Sequence, residues 1–90
     1  MTPDEKIRRG DAAARVMAEP VVKEALAAIK AEIVEMWSNT PPKDTEGREW
    51  IWRHHKVAEK FEALLKAYVE TGKFERGLIE QKSKLALFRR

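Results

Sequence analysis

Apolar residues fall in two stripes separated by a single breaker. Val22, Leu26, Ile29, Ile33 and Met36 recur at spacings of four, three, four and three. After Ser38-Asn39-Thr40-Pro41-Pro42 the rhythm resumes at Trp50, His54, Val57, Phe61, Leu64 and Tyr68. A four–three alternation keeps side chains on one helix face. Two such faces joined by a short breaker predict an antiparallel helical hairpin with a coiled-coil-like seam. Pro41 and Pro42 exclude a continuous rod, because each proline pushes the residue before it out of the α region.

Local signals set the expected boundaries. Thr2-Pro3-Asp4-Glu5 reads as a capping box with proline at the first helical position, so a first helix should run over about 3–18. Gly10 lies inside it, and its apolar face (Ile7, Ala13, Ala14, Met17) is thin. Glu19-Pro20 opens a second helix over 20–37, whose alanines favour helix. Asp44 or Thr45 caps a third over 45–71, with Gly72 expected as its C-cap residue. The fold class is therefore all-α: an antiparallel hairpin, a short N-terminal helix packed across it, and a basic C-terminal arm. Residues 1–72 form the helical domain, and 73–90 are the arm, a short helix or an extended segment. At about 1.5 Å per residue the third helix outruns the second by roughly 13 Å. Helix one, the tail or another subunit must cover the excess.

Charge changes the picture at one end. Residues 1–19 carry four basic and four acidic groups, 20–72 carry eight and nine, and 73–90 carry six and two. The net charge of +3 thus arises from the last eighteen residues. With 90 residues and no cysteine, the chain has a small core and no disulfide to reinforce it. Oligomerisation or docking on a partner is the remaining source of stability. No apolar run approaches a membrane span, and the N-terminus lacks signal-peptide character, so an intracellular protein is expected.

Catalytic and metal chemistry find little support. His54 and His55 point about 100° apart on a helix and cannot chelate one ion together. His55 and Glu59 could share one, but two ligands make a weak site. Glu46, Glu49, Glu59 and Glu62 lie among basic residues on a solvated face, and Glu62 is placed to pair with Lys66. Neither Ser38 nor Ser83 has a partner motif of a nucleophile. No enzyme activity, cofactor or metal is expected.

Binding residues are more plausible. Trp50 lies on the seam and reads as core, and Trp37 ends the second helix. Trp52 falls on the flank, so it either packs against Trp37 and helix one or anchors a partner. Lys82, Lys84, Leu85, Leu87, Phe88, Arg89 and Arg90 form an apolar–basic terminus. It suits an acidic-rimmed groove or a phosphate backbone, or its apolar residues cover the overhang of helix three. Arg48 opposes the dipole at a helix start. A reach across the turn to the carbonyls ending helix two, or to Glu35, explains it best.

The run Trp37, Thr40-Pro41-Pro42, Asp44, Glu46, Arg48-Glu49, closed by Gly72-Lys73, resembles a family of small helical-hairpin proteins of tailed bacteriophages. Glu19-Pro20 followed by Val21 to Ile29 is similar to that family's upstream helix, and the resemblance covers roughly 16–73. It implies a virion or packaging-region protein and carries no catalytic residue. Trp37, Pro41, Pro42, Asp44, Arg48 and Gly72 are then turn and cap residues. The expected function is a non-enzymatic structural or assembly protein, made in the host cytoplasm and carried in the virion. It would dock in multiple copies through helix three and the tail, on virion proteins or on itself. The alternative is a small regulatory binder of DNA or of a host protein.

Overall fold

The helices begin where local chemistry places them. The computed structural model describes residues 1–88, with α1 at Pro3–Ala18, α2 at Pro20–Asn39 and α3 at Thr45–Phe88. At α1, the Glu5 N–H donates to Thr2 Oγ1 at 3.2 Å and the Thr2 N–H donates back to Glu5 Oε1 at 3.5 Å, the reciprocal pair of a capping box. At α2, Pro20 occupies the first turn, and the Glu19 carbonyl accepts from Val22 and Lys23. The helix ends at Thr40, whose extended backbone leaves the spiral while its hydroxyl donates to the Met36 carbonyl at 2.6 Å. Asp44 then caps α3, accepting the Gly47 N–H at 2.9 Å.

Two expectations about the far end of α3 are corrected. The helix does not stop near Thr71, and Gly72 is not its C-cap residue: α3 runs on to Phe88, and no glycine among the described residues has positive φ. Glycine ends a helix when it can turn left-handed and release the chain. Here no proline or turn residue follows, and the chain continues as Lys73-Phe74-Glu75. Residues 73–88 are therefore not a separate arm, and cannot fold back over the helix of which they are part.

The chain divides into two compact units, at boundaries other than residue 72. One is Ala18–Ala63, the hairpin of α2 with the first part of α3; the other joins Met1–Met17 to α3 from Leu64 onward. Helix one is thus the partner of the later part of α3.

In the hairpin, Ile33 and Ile51 are buried, with Leu26, Met36 and Ala58 half-buried around them. Lys30 and Glu62 bridge the two helices at 2.7 Å. The expected seam is displaced by one residue: Ile51 and Ala58 face inward, while Trp50 and Val57 remain 51% and 69% exposed. One position on a helix is a rotation of about 100°. The turn fixes it, because Asp44 caps the first turn of α3 and Arg48 is held against α2.

In the other unit, α1 and α3 cross backbone to backbone. A methyl added at Gly10 would lie 2.7 Å from the Tyr68 carbonyl oxygen and 3.0 Å from Gly72 Cα. Ala13 is buried beside this point, and Leu65 and Val69 are half-buried. Charged groups frame it: Lys6–Glu75 at 3.5 Å, Asp11–Arg76 at 2.8 Å, and the Arg9 guanidinium 4.0 Å from the centre of the Tyr68 ring.

Candidate docking surfaces

The displaced seam opens a groove along the hairpin. Its volume is ≈ 610 Å³, and its apolar lining includes Leu26, Ile29, Val57 and Phe61. Glu32 lines it from α2 and Arg53 from α3. Nearer the turn, Glu32, Glu35, Met36 and Trp50 line a second depression of ≈ 540 Å³. His54 lies along the groove with its ring centroid 3.7 Å from that of Trp50, and its Nδ1 is 3.0 Å from the Trp50 carbonyl oxygen. It stands at a surface seam rather than in a core.

The hairpin's other side carries the two remaining tryptophans. Trp52 is 55% exposed, and its ring lies 5.4 Å from the Lys56 ammonium. With Trp37, Val34 and Ile51 it lines a groove of ≈ 260 Å³. The Arg48 guanidinium stacks 3.9 Å from the centre of the Trp37 ring, and its Nη1 donates to the Thr40 carbonyl at 3.4 Å. One arginine thus ties the open carbonyl after α2 to the first turn of α3, offsetting its unfavourable place at the dipole's positive end. Pro41 and Pro42 are exposed in the turn, where the Asp44 N–H donates to the Pro41 carbonyl at 3.0 Å.

The last turns of α3 hold the terminal residues expected to meet a partner. Lys82, Lys84, Leu85, Leu87 and Phe88 are all exposed, Phe88 at 88%; Arg89 and Arg90 lie outside the described residues. From Arg76 to Phe88 every side chain is exposed. Phe74, Leu78, Leu85 and Phe88 share one face, with Gln81 between them.

Polar side chains do not converge. His55 pairs with Glu59, and Lys56 lies 3.6 Å from the same carboxylate, a surface ion-pair cluster worth little in water. Among the described residues no three metal-ligating side chains gather. Likewise no helix among them is long and apolar enough to cross a membrane.

Sequence reasoning missed the groove because it assigned Trp50, Val57 and Phe61 to the hairpin's own seam. The competing signal was Ile51, Ala58, Leu65 and Gly72, spaced seven apart one position further on. It missed Gly10 and Gly72 as a crossing because each was given a local role. What these surfaces offer chemically is apolar, helix-shaped contact with a charged rim. No protein-family model, curated protein or solved structure matches the chain.

Proposed function

We propose that this is a non-enzymatic docking protein that acts by laying apolar helix faces against other protein surfaces. The observation that carries the reading is the bare end of α3. Residues 76–88 remain helical with every side chain exposed, and Leu78, Leu85 and Phe88 lie on one side. Contiguous exposed apolar surface marks an interaction site. Lys82 and Lys84 add positive charge beside the apolar face, which suits an acidic-rimmed groove. The setting implied by the Trp37–Gly72 pattern is a phage particle under assembly in the host cytoplasm. Copies would dock there through the surface around Trp52 and the Leu85–Phe88 end.

A photocrosslinking residue in place of Phe88, in the cells that naturally make the protein, tests this. The expected result is one discrete product joining the chain to a subunit of a larger particle. Crosslinks to DNA, with binding that weakens steeply between 50 and 200 mM salt, would replace it with the regulatory DNA-binding reading, which the basic charge of residues 73–90 favours.

A further inference from the structure

We propose that the groove along the hairpin is covered by a second copy of the same hairpin, giving a two-fold four-helix bundle. The inference concerns a different face from the α3 end and stands independently of the docking reading.

The first support is the pattern of the exposed residues. Trp50, His54, Val57 and Phe61 keep a strict four–three alternation, the spacing that knobs-into-holes packing between helices requires. That alternation is not used inside the hairpin, where Ile51 and Ala58 make the contact with α2. The second stripe, one position away from the first, is only partly covered by the hairpin's own packing. Its His54, Val57 and Phe61 form, with Leu26 and Ile29 of α2, one apolar face two helices wide, and Trp50 lines the depression nearer the turn.

The second support is area. Ile29, Trp50, Val57 and Phe61 are 43%, 51%, 69% and 48% exposed. With about half of each aromatic side chain's 150–250 Å² in water, this face presents roughly 400 Å² of apolar surface. Two copies would remove about 800 Å², close to the apolar share of a standard interface of about 1,600 Å². The hairpin alone buries only Ile33 and Ile51 among its large apolar side chains. Small helical units of this kind commonly gain the rest of their core by association.

The third support is charge, which also selects the occupant. Glu32 stands on the α2 wall of the groove and Arg53 on the α3 wall. A two-fold arrangement lays α2 of one copy over α3 of the other. Glu32 of each copy then meets Arg53 of its mate, and symmetry makes the pair twice. The surface is therefore complementary to itself in apolar pattern and rim charge.

Sedimentation equilibrium on the full chain and four variants tests the proposal. The full chain should be a dimer, and Phe61→Glu should be monomeric over the same range with its helix content kept, because Phe61 lies outside the buried core. Glu32→Arg and Arg53→Glu should each weaken dimerisation about tenfold, since each reversal creates two like-charged contacts. The double variant E32R/R53E should recover most of that loss. A monomeric full chain would overturn the proposal and leave the groove to a foreign partner. So would a dimer indifferent to Phe61→Glu, which would place the interface elsewhere, or single charge variants that weaken dimerisation without rescue in the double.

Discussion

Gly72 sets a propensity rule against a packing rule. In an open helix, replacing glycine by alanine gains about 1 kcal/mol from propensity alone. At Gly72 a methyl would lie 3.1 Å from Gly10 Cα and 3.3 Å from the Lys6 carbonyl oxygen, so the helices must part to admit it. Gly72→Ala should therefore destabilise the protein by about 1–3 kcal/mol, read from urea unfolding followed by helix circular dichroism. A gain in stability would mean that α1 and α3 do not cross there. The sequence showed two glycines in helical surroundings but not that they meet, since each is reasonable alone as a weak spot or a helix end. Arg48 was more legible, because an arginine at a helix start is unfavourable unless something nearby accepts its hydrogen bonds. The Thr40 carbonyl does so.

The helix starts were readable because they depend on neighbours: Thr2 with Glu5, Pro20 after Glu19, Asp44 with Gly47. The end of α3 was not, because a glycine followed by polar residues can either terminate a helix or lie within one. Packing decides which, and α1 supplies it through Gly10, Lys6 and Asp11, which meet Gly72, Glu75 and Arg76 of α3. Beyond that contact the helix continues on its own propensity. Gly77 has open space around its Cα, with no atom within 4 Å of an added methyl. Gly77→Ala should therefore raise helical signal and stabilise the protein by about 0.5–1 kcal/mol, the opposite sign to Gly72→Ala. Amide exchange that slows across 76–88 would show the gain in the right place. A loss of stability would mean that this turn already packs against something. The seam's displacement was also hidden in the sequence, since Trp50 and Ile51 are both credible core residues and only the turn's geometry chooses between them.

As a whole, the protein combines a legible all-α plan with a core too small to account for its apolar content. Among the described residues the buried apolar side chains are Ala13, Ile33 and Ile51, while Trp50, Trp52, Val57, Phe61, Phe74 and Phe88 meet water. Ion pairs such as Lys30–Glu62 and Asp11–Arg76 align the helices but contribute at most about 1 kcal/mol each at such exposure. Stability then has to be shared with whatever covers the apolar faces, and the hairpin groove assigns the first share to a second copy. Association of that kind couples folding to concentration by mass action. The most direct test is the melting temperature of the full chain measured from 5 to 500 µM. Unfolding from a dimer predicts a rise of about 5–10 °C across that hundredfold range. A melting temperature independent of concentration would contradict it, because the hairpin would then be holding its fold without a mate.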